Sequence, residues 1–415
     1  MLAVGFVVPG SVLCAELTVK EAVQAAESFS PSLKASRQRE VQAQNAVAVL
    51  KAGYYPTLDA QAVQGYGMPG SNGALGIGGL MGSPFRSGPA AGIVSRWDII
   101  NLGTYYGVAA AQSAVQAAQA QTAVVRYQVD AAVLQAYFET ARDRADQQAW
   151  HEIGERIAAV AEKVHGFVQG GQVLQAQEWL VDYQVKDARM NEEVFARRNR
   201  FAIMRLADLT GLDTGSLSCP SVETISEADV AVFDPAGSSP LVAATQSQAK
   251  TARAAVDMRK AGNYPRLSIL GSAGDMSEAM LVKKQDYSAG VGLTIPLFEG
   301  FGIESETKRA RAAASEADLN VAAASLDWRL ADARFDEEIA AARVQTDYLK
   351  EESTLGRKTF DLALQRYFTF QEPLVDVRES IRNLGGIATA NNEARGQLLL
   401  SITLKAAYDG GTISH

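Results

Sequence analysis

Two hydrophobic periods alternate along this chain of 415 residues, and they do so in the same order twice. From Thr18 the apolar positions follow helical spacing to about Ala52; Thr18 and Glu21 form a capping-box pattern at the start, and Ser30-Pro31 marks a bend. At Thr57 the period changes. Leu58, Ala60 and Ala62 alternate with Asp59 and Gln61, which predicts a strand to near Tyr66. A Gly-rich stretch, "GYGMPGSNGALGIGGLMGSPF", precedes a second strand at Gly92–Ile100. Helical spacing then runs from Gly103 to about Val168, on the order of 100 Å if continuous. "QGGQ" around Gly170 breaks it, and another helix reaches about Gly211. Residues 212–237, with Cys219-Pro220 and Asp234-Pro235, hold no sustained period and read as a linker.

The scheme then repeats. A helix over Ser239–Ala261 leads into a strand at Arg266–Gly274, a turn at Asp275–Asp286 and a strand at Tyr287–Leu297. A long helix from Gly302 to Tyr367 is interrupted by "FTFQEP" before a last helix, Leu374 to about Tyr408. The tail, residues 411–415, is expected to fray. "KAGYYPTLDA" at Lys51 returns as "KAGNYPRLSI" at Lys260, and Ser30-Pro31 stands at the same offset from Ser239-Pro240. One offset shared by two landmarks indicates duplication, with repeats at 16–211 and 238–410. In each copy Gly53 or Gly262 reads as a left-handed helix end, and Tyr55-Pro56 or Tyr264-Pro265 cannot continue the helix.

The strand at Tyr287 is two-faced. Tyr287, Ala289, Val291, Leu293, Ile295 and Leu297 point one way; Ser288, Gly290, Gly292 and Thr294 point the other. A barrel strand between lipid and water has this pattern, and so does a half-buried strand of a soluble sheet. Four strands narrow the choice. Two hairpins cannot close a barrel, and an open edge in lipid leaves backbone groups unpaired, so spanning strands must be pooled among several chains. The helices also far exceed what a compact domain needs and must pack along partners.

Composition adds bounds. Asp and Glu outnumber Lys and Arg by 47 to 39, a net charge of −8 without basic clusters, which argues against nucleic acid as a partner. The opening "MLAVGFVVPGSVLCAEL" reads as a secretory signal over residues 1–15, cut after Ala15. Cys14 is an alternative lipid-acceptor site, although Leu13 before it fits lipoprotein processing poorly. Only Cys219 remains, so the mature chain is expected to hold no internal disulfide. No later stretch reaches the roughly 18 apolar residues of a membrane helix. His151 in "HEIGE" lacks the second histidine of a zinc-protease motif, and "GALGIGGLMG" has no Lys-Ser/Thr end for phosphate binding. No catalytic, metal or cofactor site is expected.

"LTVKEAVQAAESFSPSLKASRQREVQAQNAVAVLKAGYYPTLDA" resembles the opening of the TolC-like outer-membrane factors, the exit ducts of bacterial efflux and type I secretion machines. "VSRWDIINLG" and its counterpart "LTIPLFEGFG" resemble the family's passage from strand to long helix, and "LVDVRESI" resembles its periplasmic tip. The resemblance implies a mainly α chain with a small β part. It further implies a homotrimer whose four strands per chain form one twelve-stranded β-barrel in outer-membrane lipid, continuing into an α-helical barrel in the periplasm, with residues 212–237 at its equator. Expected partners are a periplasmic adaptor protein and an inner-membrane RND or ABC transporter.

The resemblance also nominates residues. Asp376 falls on a constriction-lining acidic position, and Glu379 replaces a second aspartate; being three apart, they share a helix face. Helix-start stabilisation of carboxylates after Pro373, or pairing with Arg378, would explain both without a lumen. Tyr367 matches a tyrosine that ties neighbouring coils, or is a core aromatic. Glu372 stands where an arginine is expected, and Gln177 where its acidic partner is, so the family's ionic latch is in doubt. The tips Gly170, Gly171, Val173 and Leu174, and Phe368, Phe370, Pro373 and Leu374, would meet the adaptor's hairpin, or are ordinary turns. The rival to a duct is a soluble periplasmic coiled-coil scaffold, which suits "EADLNVAAASLDWRLADARFDEEIAAARV" but not the duplicated helix-to-strand switches.

Overall fold

The computed structural model describes residues 16–65, 88–215, 217–234, 237–277 and 283–413. The signal segment with Cys14, Tyr66, the Gly-rich stretch to residue 87 and the centre of the Asp275–Asp286 turn lie outside the described residues.

The first repeat holds α1 (Val19–Phe29), α2 (Pro31–Lys51), β1 (Thr57–Gly65), β2 (Gly88–Ile100), α3 (Leu102–Gln169) and α4 (Gln175–Thr210). Between the repeats lies β3 (Phe233–Asp234). The second holds α5 (Pro240–Lys260), β4 (Arg266–Ser277), β5 (Lys283–Thr294), α6 (Gly302–Phe368), α7 (Leu374–Tyr408) and β6 (Thr412–Ile413). Thr18 and Glu21 make the reciprocal capping box, and the Ser30 hydroxyl accepts from the Leu33 amide at the start of α2. Among the described residues no helix is long and apolar enough to cross a membrane.

Contacts divide the chain into two units, each drawn from both repeats. One comprises residues 36–122 and 241–325. Its centre is an antiparallel sheet in the order β1-β2-β4-β5, so β1 and β5 are its edges. Register carries Ala60 opposite Ile93, Ile93 opposite Ala273 and Ala273 opposite Tyr287, and these share a face with Leu58, Trp97 and Val291. Thr57, Asp59, Arg96, Asp98, Ser268 and Thr294 lie on the other, accompanied by Val94 and Leu270. Among the described residues nothing covers the apolar face: Leu58 is 72% and Tyr287 87% exposed.

Several expectations need correcting here. β2 begins at Gly88, and β4 and β5 run past Gly274 and before Tyr287, so the turn between them is shorter than its polar composition suggested. β5 stops at Thr294; Ile295 and Leu297 follow the strand and continue no alternation. Gly53 and Gly262 are not left-handed. They lie in short 3-10 turns, Ala52–Tyr54 and Ala261–Asn263. At Gly53 the lack of a side chain serves close approach instead, since a Cβ there would lie 3.1 Å from Thr104 in the first turn of the next long helix, whereas one on Gly262 would meet Ile303 at an ordinary contact distance of 3.4 Å.

The other unit comprises residues 1–35, 123–240 and 326–415. One core joins α1, α3, α4 and α7 through Val23, Leu134, Tyr137, Leu206 and Leu399. The linker is part of it. Cys219, Val222, Ile225 and Val230 are buried, and Arg395 of α7 donates to the carbonyls of Val222 and Ile225, each at 2.8 Å. The tail expected to fray is held as well, because Thr412 and Ile413 pair with Asp234 and Phe233. A second core joins Ile157 and Val164 of α3, Val181 of α4, Phe360 of α6, and Val377 and Ile381 of α7.

Asp130 of α3 is buried with its Oδ1 unpartnered. Burial raises its carboxyl to about 8 from an ordinary 3.8, with Glu27 of α1 raising it further and Arg126 opposing. The folded chain therefore holds this proton more tightly than the unfolded one. The contribution is fully present below about pH 4 and is lost as pH rises through 8. Asp130→Asn should stabilise the protein at pH 8–9 by about 2 kcal/mol, with the gap closing toward pH 4. Melting curves across pH test this, and a gap that ignores pH would show that Asp130 does not titrate.

Candidate functional site

The two helical breaks are the same device. After α3, the Gly171 amide donates to the Val168 carbonyl at 3.0 Å and the Gln172 amide to that of Phe167 at 2.8 Å. After α6, the Phe370 amide donates to Tyr367 at 3.0 Å and the Gln371 amide to Arg366 at 2.9 Å. Both are Schellman ends, in which one left-handed residue lets the chain double back over the last carbonyls. Gly171 fills that position in one tip with φ of 68°, and Phe370 fills it in the other with φ of 57°.

Side chains join the tips. Tyr367 is only 3% exposed, and its hydroxyl donates to Gln177 Oε1 at 2.8 Å. Burial raises the Tyr367 phenol, so the hydroxyl keeps its proton. Two of the three residues nominated for tip closure, Tyr367 and Gln177, thus meet as a neutral pair. Glu372, in the arginine's place, forms an ion pair at 2.7 Å with Arg366 of its own tip. Around this bond lies an aromatic cluster that sequence reasoning missed. Phe167 contacts Phe370 at 5.4 Å and Phe368 at 6.2 Å between ring centroids, and Lys163 Nζ sits 4.4 Å over the Phe368 ring. Aligning "FVQGGQ" with "RYFTFQ" would have shown a phenylalanine in a glycine's place.

The docking residues separate by exposure. Gly170, Gly171, Leu174 and Pro373 are exposed, as is Phe370 at 58%; Val173 and Phe368 are half-buried. Leu374 must be removed from the exposed set. It is 5% exposed, turned into the core with Val181 and Val377, because the first turn of α7 seats this side against α3 and α4.

Asp376 and Glu379 are exposed on one side of α7, with Val377, Ser380 and Ile381 buried on the other. Asp376 lies in the first turn, where the helix dipole favours a carboxylate. Arg378, also exposed, does not pair with either; among the described residues no cation lies within ion-pair distance of them. His151 and His165 of α3 instead meet carboxylates of α4, Glu192 at 3.0 Å and Asp182 at 3.2 Å. No cluster of metal-ligating side chains occurs among the described residues, and Cys219 is a buried free thiol pushed up to about 12 by burial.

Removing the Tyr367 hydroxyl leaves Gln177 Oε1 near water, whereas truncating Gln177 strands a buried phenol. Tyr367→Phe should therefore cost about 0.5–1 kcal/mol of local stability and Gln177→Ala about 1–2 kcal/mol. Amide exchange at both tips measures the two, and the reverse order would contradict the buried bond.

Residues 236–406 match the model of the outer membrane efflux protein family. Protein CyaE of Bordetella pertussis is 29% identical over 350 residues, covering 79% of this chain and 70% of CyaE. The outer membrane protein VceC of Vibrio cholerae superposes with a TM-score of 0.78 at 18% identity, over 95% of this chain and 96% of VceC. The CmeC outer membrane channel of Campylobacter jejuni gives a TM-score of 0.78 at 17% identity, over 96% and 87% of the two chains. The fold is shared with these outer membrane protein structures over nearly the whole chain. Residues 236–406 are thus similar in sequence to the outer membrane efflux proteins, and nearly the whole chain shares the fold of VceC and CmeC.

Proposed function

We propose that this protein is an outer-membrane channel for efflux or secretion, a passive duct closed at its periplasmic tip and opened by an adaptor–pump complex. One observation carries the reading. Among the described residues, the four-stranded sheet has an apolar face, a largely polar face and two free edges, with no element laid over the apolar side. Water does not favour so large an uncovered apolar face, and lipid does not tolerate the edges. Joining β5 of one copy to β1 of the next answers both demands, and three copies give the twelve-stranded barrel of the outer-membrane factors. The family match and the channel fold support the same assignment. A soluble coiled-coil scaffold leaves the two-faced sheet unexplained.

In this reading the exposed carboxylates of Asp376 and Glu379, repeated by threefold symmetry, ring the passage and favour cations. Asp376→Asn with Glu379→Gln should lower cation over anion selectivity about threefold or more in planar bilayers and relieve block by multivalent cations. Channels with unaltered selectivity would place these side chains outside the passage. Fractionation tests the broader reading: a heat-resistant oligomer in outer membrane supports the duct, and a soluble periplasmic species supports the scaffold.

A further inference from the structure

A phenylalanine at a Schellman C′ position needs a reason. The left-handed region favours glycine because a Cβ crowds the adjoining backbone there, and Gly171 meets that demand in the other tip of this chain. Replacing glycine by an aromatic at this position sets local backbone preference against something gained elsewhere. The gain is visible. From the left-handed turn, the Phe370 ring reaches the opposite tip and rests 5.4 Å from Phe167, the residue whose carbonyl closes that tip's own Schellman bond. Phe368 contacts the same ring from the end of α6 and carries Lys163 over its face.

We infer that Phe167, Phe368 and Phe370, with Lys163, form an aromatic clasp that holds the α6–α7 tip against the α3–α4 tip and keeps the duct closed. This rests on the channel reading above and adds what regulates it. The clasp holds the position of an ionic latch for which the chain lacks both halves: Glu372 turns back to Arg366 of its own tip, and Gln177 is neutral. Its contacts are ring against ring, so closure should resist salt, unlike closure by exposed ion pairs. An apolar helix tip offered to Phe167 and Phe370 would replace these contacts, the kind of surface an opening partner must bring.

Single-channel conductance of the full-length protein in planar bilayers tests the clasp. Phe370→Gly removes the ring while easing the backbone, so the oligomer should keep or gain thermal stability. Its conductance should nevertheless rise roughly twofold or more, as closed tips give way to open ones. Phe167→Ala should do the same, the double variant should add little, and Phe370→Tyr should stay closed. Tyr367→Phe, which deletes one hydroxyl, should raise conductance less than Phe370→Gly. The ratio of variant to wild-type conductance should hold at low and high salt.

Unchanged conductance in both Phe370→Gly and Phe167→Ala, or a larger effect from Tyr367→Phe, would overturn the clasp and leave the channel standing. Lost thermal stability without a conductance change would show that the rings only support the fold. A wild-type protein that forms no channels would remove the channel reading and the clasp together.

Discussion

An open sheet with two bare edges is the constraint on which the structure turns. Each unpaired amide or carbonyl costs several kcal/mol in hydrocarbon, so a four-stranded sheet cannot enter lipid alone. It cannot remain comfortably in water either, because Leu58, Ile93, Tyr287 and Val291 present an apolar face that nothing among the described residues covers. The antiparallel order places β1 at one edge and β5 at the other, running in opposite senses. A ring of copies can therefore pair edge to edge without changing the ladder. The duplication supplies the sheet in equal parts: each repeat brings one β-hairpin and one helical hairpin.

Elements set by local chemistry were readable from residues alone. The two-residue period of β4 and β5, the Thr18–Glu21 capping box and the Ser30-Pro31 boundary depend on neighbours within a turn, and each stands near where its pattern put it. Elements set by distant packing were not. Nothing local says that Gly53 is small because Thr104 crowds it. Nor does composition reveal that an aperiodic linker is pinned through Arg395, or that a two-residue tail strand finds Phe233 and Asp234. Leu374 illustrates the same limit. The helix start was legible, while the side it buries depends on where α3 and α4 lie.

The site divides similarly. Resemblance nominated Tyr367 and Gln177 without pairing them; the fold brings them together, and the residue types fix the chemistry, since a phenol and an amide can make a hydrogen bond and no ion pair. The aromatic cluster lay hidden because Phe167 and Phe370 are far apart in the chain, and a phenylalanine near a helix end looks like ordinary core. Its meaning appears only when the two tips are compared as copies of one motif.

That comparison shows how a duplicated chain can assign different work to equal parts. The tips share a backbone design, and most groups proposed to act on the passage sit in the second copy: Tyr367, Phe368, Phe370, Asp376 and Glu379. The first copy supplies what these groups meet, Gln177 as acceptor and Phe167 as the ring to rest on, with glycine kept where geometry asks for it. The α6–α7 tip sets local backbone preference at Phe370 against the contact its ring makes with Phe167. Gly171 lets the α3–α4 tip adopt the same turn without that conflict. Two copies of one turn thus carry a contact-making residue in one tip and a permissive residue in the other.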